Sequence, residues 1–223
     1  MGSMVVESNV RIIVMDNERV ISFDDHGCYF LTLETVDLTD IFIRPVYKQI
    51  IVHTLNHYIT SKGLIVYGWC LMPSKLYIIC QVQKNISFKE LRKAFKQFTT
   101  EKVIEAIYNE PEERRQWLIE HFQRNYGFLG AQKKLEVWKR VKEMLSIDLA
   151  RPEIMAEHLE LLHNIPVQER IVRYASDFIY SSASDYETGT EGLVKIARLS
   201  AVEQALDDIE NRKSMFKTKF NRR

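Results

Sequence analysis

Lys75, Leu76 and Tyr77 head an apolar run, and alternate strand residues face the same side, so an ammonium and a phenol share one face there. An ammonium has three donors and no lone pair, so Lys75 can hold an anion but cannot ligate a cation. A neutral phenol such as Tyr77 is a poor ligand for Mg²⁺, which prefers carboxylate and water oxygen. His53 and His57 stand at i, i+4, a spacing that can chelate metal on a helix. No Glu or third ligand accompanies them, and the better account is two partly exposed helix histidines. His163 sits in Leu162-His163-Asn164-Ile165-Pro166-Val167, where a polar side chain ties helix to loop or makes a functional contact. His26, His121 and His158 carry no constellation, and the chain has no Gly-rich phosphate loop, Ser-His-Asp arrangement or Cys/His zinc spacing. Cys28, Cys70 and Cys80 are widely spaced among apolar residues and read as reduced core thiols of a cytoplasmic protein.

Charge is distributed unevenly although the net value is only +1. Residues 4–83 hold six Lys/Arg against eight Asp/Glu, whereas 84–142 hold fourteen against eight, and the last twelve residues hold six bases and no acid. Such polarisation can present basic surface to phosphate from a nearly neutral chain. Lys89, Arg92, Lys93 and Lys96 fall on one helical face, with Lys102 beyond. Lys133, Lys134, Lys139, Arg140 and Lys142 surround Trp138. Aromatics among cations suit stacking on unpaired bases, and the alternative is a solvated face with Trp138 in the core.

The elements that must position these groups follow from pattern. At 223 residues, with 46% hydrophobic and 27% charged content, the chain can bury a full core as one decorated domain. No apolar run of about 18 residues suggests a membrane span, and no charged segment precedes an apolar stretch as in a secretory signal. Met1-Gly2-Ser3-Met4 reads as an appended tag remnant, with residues 1–9 a flexible start. Residues 10–23 read as a hairpin around Asp16-Asn17, and 28–33 as a central strand. Val46, Ile50, Ile51, Leu55, Tyr58 and Ile59 have helical spacing after Pro45, and Gly63 stops that helix. Strands at 64–72 and 76–82 flank Pro73-Ser74. A helix then starts at Ser87, in capping-box register with Glu90, with Leu91, Ala94, Phe95, Phe98 and Val103 inward. The order strand, helix, strand, strand, helix predicts an α+β fold, a ferredoxin-like antiparallel sheet with helices packed on it. Residues 10–110 form this core. Helical segments at 111–124, 131–146, 152–163 and 167–175, then a last helix from about Ser200, make an extension over 111–211, and 212–223 is a basic tail.

Tyr67-Gly68-Trp69-Cys70-Leu71-Met72-Pro73 resembles the REP-associated branch of single-tyrosine HUH transposases (IS200-like), enzymes that mobilise or process palindromic single-stranded DNA. In that family an apolar strand ends in Met-Pro-Asn, and His-hydrophobic-His opens the next. Three further blocks fall in the same order: 91–100 is similar to the family's basic helix, 162–167 to its Ile-His-Asn-Asn-Pro-Val, and Tyr180-Ser181-Ser182-Ala183 with Asp185-Tyr186 to its Tyr-Ser-Ser-Ala…Tyr. The likeness covers roughly residues 28–199.

The resemblance implies DNA as partner, single-stranded or hairpin, a homodimer, and a divalent Mg or Mn ion held by two imidazoles that polarise the scissile phosphate. Here Lys75 and Tyr77 replace the imidazoles and Ser74 the Asn. The ion site is lost as written, and no cofactor is expected. The resemblance also places the attacking tyrosine on the basic helix, where Phe95, Phe98, Thr99 and Thr100 stand; Tyr108, roughly two turns beyond, is a weak candidate. The expectation is a degenerate, non-cleaving DNA-binding protein with Lys75, Lys89, Arg92, Lys93, Lys96, Lys102, Lys133, Lys134 and Arg140 on phosphate. The alternatives are an active nuclease or transposase using Asp24, Asp25 or Glu34, and a structural or protein-interaction remnant.

Overall fold

The computed structural model describes residues 26–126, 132–139 and 144–220. The hairpin expected at 10–23, together with Asp24, Asp25, Arg140 and Lys142, lies outside them. Four strands, β1 (Cys28–Glu34), β2 (Leu64–Leu71), β3 (Lys75–Val82) and β6 (Met144–Ile147), form one sheet in the order β2-β3-β1-β6. Both β1 and β2 run antiparallel to β3, hence parallel to each other, with α1 (Pro45–Ser61) crossing between them. That is the split β-α-β of the expected ferredoxin-like α+β fold. The sheet is not complete at residue 110, because β6 lies in the segment assigned to the helical extension.

Each strand divides its side chains between two layers. Tyr29, Leu31, Leu33, Leu76, Ile78, Cys80 and Val82 face α1 and α2 (Phe88–Asn109), which contribute Ile51, Leu55, Phe95 and Val103. Cys28, Cys70 and Ile79 face α4 (Pro152–Gln168) and α6 (Ser200–Phe220), which contribute Met155, Leu159, Leu162 and Val202. A bulge between Val66 and Gly68 shifts the register, so Val66 and Trp69 both enter the α1–α2 layer. Gly68 has no Cβ because Leu159 of α4 occupies that space.

Several sequence expectations give way to tertiary context. Residues 131–146 have helix-compatible spacing, yet they supply β5 (Gln132–Leu135), which pairs with β4 (Gln123–Tyr126), and then β6, with a bridge from Trp138 to Thr35. The free edge of β1 offers this segment a ladder that local periodicity cannot register. Segments 152–163 and 167–175 are not two helices: α4 runs through Pro166 to Gln168, and a 3₁₀ turn follows at Ala175–Asp177. Pro166 falls in the last turn, where the hydrogen bond it removes is one of few remaining. On α2, Ser87 caps Glu90 as expected, but Ala94 and Phe98 are exposed and Thr99 is buried instead. The Thr99 hydroxyl donates to the Phe95 carbonyl and accepts the Trp138 indole N–H at 2.7 Å, so a polar residue takes an inward position with its hydrogen bonds satisfied.

Candidate functional site

The β2–β3 connection is tight. Met72 N–H donates to Lys75 O at 2.8 Å, and buried Thr35 donates to Ser74 O through both its N–H (2.9 Å) and hydroxyl (3.1 Å). Phe42 N–H donates to Pro73 O at 2.9 Å. This clamp fixes where β3 begins and so where Lys75 projects. Lys75 lies opposite Glu34 in the β1–β3 register, and Tyr77 opposite Thr32. The Lys75 ammonium sits 3.0 Å from Glu34 Oε1, and the Lys139 ammonium 3.4 Å from Oε2. Lys139 N–H bonds Glu34 O at 2.8 Å, and Lys96 of α2 donates its ammonium to Lys139 O at 2.6 Å. Two ammonium groups thus flank one carboxylate at the end of the sheet, and a third, from Lys96, holds the Lys139 carbonyl.

Burial works to raise the Glu34 carboxyl, but the hydrogen bond and charge of Lys75, followed by those of Lys139, outweigh it and hold it below the usual carboxylate range. Burial likewise works against charge on Lys75, and the hydrogen bond to Glu34 reverses it, so the ammonium persists above its ordinary range. Burial pushes the Tyr77 phenol up, against the opposing charge of Lys75, leaving it neutral near pH 7. These residues do not fit a divalent ion: both oxygens of Glu34 already face ammonium groups, and neither Lys75 nor neutral Tyr77 is a suitable ligand. Among the described residues no cluster of three or more His, Cys, Asp or Glu could hold a metal. What the arrangement can do is exchange a carboxylate for another oxyanion.

The helix expected to carry a nucleophile packs on the opposite face of the sheet from Lys75 and Tyr77. Phe95, Val103 and Ile107 of α2 pack on the face bearing Leu76 and Ile78, whereas Lys75 and Tyr77 point to the α4 side. Tyr108 is exposed near the end of α2 and belongs to the opposite layer. Nor do the α2 cations lie together beside the pair. Lys89 and Lys93 are exposed, Arg92 approaches Met144 Sδ at 3.8 Å, Lys102 pairs with Glu105, and Lys96 alone among them is joined to the Lys75 end. Lys134 is exposed near Glu136 at 3.9 Å, Lys133 is placed in β5 by its backbone, and Arg140 is outside the described residues. Trp138 is 2% exposed and donates to Thr99, so of the two readings offered for it the core one holds.

His53 and His57 are exposed on α1 as expected. His158 Nδ1 lies 2.7 Å from Ile154 O of its own helix. His163 is buried, its Nε2 2.9 Å from Ser182 Oγ, and burial lowers its pKa to about 4. It ties α4 to the segment that runs along the outer edge of β2. There Leu71 N–H donates to Tyr180 O at 2.8 Å, Ser182 N–H to Trp69 O at 3.0 Å, and Trp69 N–H to Ser182 Oγ at 3.0 Å. Tyr186 OH closes the frame on Tyr67 O at 2.7 Å. Three of the blocks that carry the resemblance, at 67–73, 162–167 and 180–186, therefore converge on one scaffold. One carboxylate that sequence reasoning missed is Glu112, nearly buried, which accepts from Arg44 and Tyr47, each at 2.7 Å. Arg44 and Tyr47 lie 65 or more residues away, and no spacing rule reaches that far.

No family model matches the chain, and no curated protein matches it. A solved structure described as a REP-associated tyrosine transposase bound to a REP hairpin is similar, with a TM-score of 0.54 and 14% identity over 83% of this chain and 96% of that one. What the two share is the fold.

Proposed function

We propose that this chain is a transposase-like DNA-binding protein that holds single-stranded or hairpin DNA without cutting it. The carrying observation is the pair of Lys75 and Lys139 on Glu34, with Lys75 at a strand position where the resembled enzymes have an imidazole. Lys and Arg that neutralise phosphates release counterions whether or not a catalytic ion is present. The similar fold of a hairpin-bound transposase supports this reading. In it, a phosphodiester displaces Glu34 from Lys75 and Lys139, with the more exposed Lys89 and Lys93 following the backbone. The protein acts as a homodimer, as the resemblance implies, and its free, buried Cys28, Cys70 and Cys80 suit a reducing cytoplasm.

Two substitutions at this cluster move binding in opposite directions. Lys75→Ala weakens binding across all sequences and lowers the salt slope by about 0.7 for a single strand. Glu34→Gln removes the competing carboxylate, tightens binding and steepens the slope. Titration of a labelled hairpin across salt concentrations reads both, and a Glu34→Gln protein that binds no tighter contradicts the exchange. The same hairpin incubated with Mg²⁺ and with Mn²⁺ stays intact; a cleaved strand or a covalent protein–DNA adduct would overturn the non-cleaving assignment.

A further inference from the structure

We propose that the outer face of Trp117 is a stacking platform for an unpaired nucleobase. This rests on the DNA-binding reading above and adds the contact that takes hold of an unpaired base of that single strand or hairpin loop.

Trp117 lies on α3 (Arg115–Phe122), whose Leu118 and Phe122 are fully buried against the core. Trp117 and His121, one helical turn apart, occupy an adjacent face of the helix. Their rings stack with centroids 4.7 Å apart and planes 11° from parallel, and Trp117 is 50% exposed. One indole face is therefore backed by an imidazole, while the side chain keeps half its surface open. The imidazole Nε2 lies 3.4 Å from Asp37 Oδ2. Asp37 and Leu38 both adopt left-handed backbone, φ 49° and 54°, although neither is glycine. Val36 N–H to Val137 O (2.8 Å) and Thr39 N–H and hydroxyl to Val36 O (3.0 and 2.7 Å) hold the turn that makes them do so. Strained turns of this sort persist where the surroundings over-determine them and are concentrated at working surfaces.

The platform is linked through Asp37 to the end of β1 where Glu34 holds Lys75 and Lys139. Asp37 follows Glu34 by three residues, and three residues span at most about 11 Å, a distance that a few nucleotides of single strand cover. The chemistry of the flank selects the base rather than its phosphate. Asp37 and Asp40 lie on this side of the molecule, and the Arg114 guanidinium nearby is paired with Asp40 at 2.7 Å. Carboxylates there disfavour a phosphate and leave a neutral π-face as the suitable occupant. Stacking on an aromatic ring tolerates any base, because every base has a π-face. A duplex keeps its bases stacked on one another and offers none.

The three tryptophans make the test direct. Trp69 and Trp138 are 0% and 2% exposed, so a base stacking on the surface quenches Trp117 above all. The full chain is titrated at moderate salt with an oligothymidine, an abasic strand of the same length and a blunt duplex. Oligothymidine is expected to quench indole fluorescence, and Trp117→Ala to lose about tenfold in affinity for it, with most of the loss restored by Trp117→Phe. The abasic strand is expected to bind wild type and Trp117→Ala alike, without quenching. A matching urea midpoint shows that Trp117→Ala still folds. Salt-dependent binding of oligothymidine that leaves wild-type fluorescence unchanged and is equal in Trp117→Ala overturns the platform and spares the DNA reading. Absence of binding by any of the three strands overturns both.

Discussion

His163 has the chemistry of a catalytic base and the surroundings of a structural residue. Sealed between α4 and the 180–182 segment, it meets Ser182 and is held neutral by burial, with a pKa of about 4 against an ordinary 6.5. The unfolded chain binds this proton between those values and the folded chain does not. Its contribution to stability is therefore complete above pH 6.5 and is lost as the pH falls towards 4, by about 3 kcal/mol at most. Urea midpoints at pH 7 and pH 5 should separate further in the wild type than in His163→Gln, and equal separations would refute the burial argument. His163 could be read correctly as a tie between helix and loop, because its neighbours in the chain already suggested a loop beside a helix. The tryptophans could not be ranked: Trp117 and Trp138 both stand among cations and apolar residues, and only packing against Phe42 and Thr99 removes Trp138 from the surface.

At the scale of elements, β2 shows how one absent side chain sets a layer spacing. The Gly68 Cα faces Leu159 so closely that a methyl group there must displace α4 or Leu159 itself. Gly68→Ala should cost about 2 kcal/mol by overpacking, and Leu159→Ala in the same chain should recover part of it rather than add to it. Simple additivity of the two in urea denaturation would show that the contact is not what constrains position 68. Most of the core elements were legible: α1 from its spacing between Pro45 and Gly63, α2 from its cap at Ser87, and β2 and β3 from their β-rich runs. Residues 131–146 were not, because whether Leu135, Val137 and Trp138 lie along a strand or a helix depends on the free edge of β1, roughly a hundred residues earlier.

For the whole molecule, the segment after α2 is anchored by Glu112. The Glu112 carboxylate takes Arg44 and Tyr47 from the start of α1, each at 2.7 Å, and the Arg114 N–H at 3.1 Å. Glu112→Ala leaves the Tyr47 hydroxyl without its acceptor in a buried place and should lower stability by about 2 kcal/mol. Because α3 follows directly, the substitution should also loosen Trp117, seen as a shift of its emission at denaturant concentrations below the main transition. A single coincident transition would place the anchor elsewhere.

The sequence by itself determined the α+β class, the strand–helix order of the first core elements, the pairing of Lys75 with Tyr77 on one strand face and the chemistry this denies them. Each is a matter of residue type and short-range period, which act over a few positions. Only the tertiary structure decided that Lys75 and Lys139 meet on Glu34, that α2 packs on the far side of the sheet from Lys75 and Tyr77, and that Trp117 rather than Trp138 is the open indole. Those outcomes depend on which faces bury each other across long stretches of chain, and burial is a property of the assembled layers.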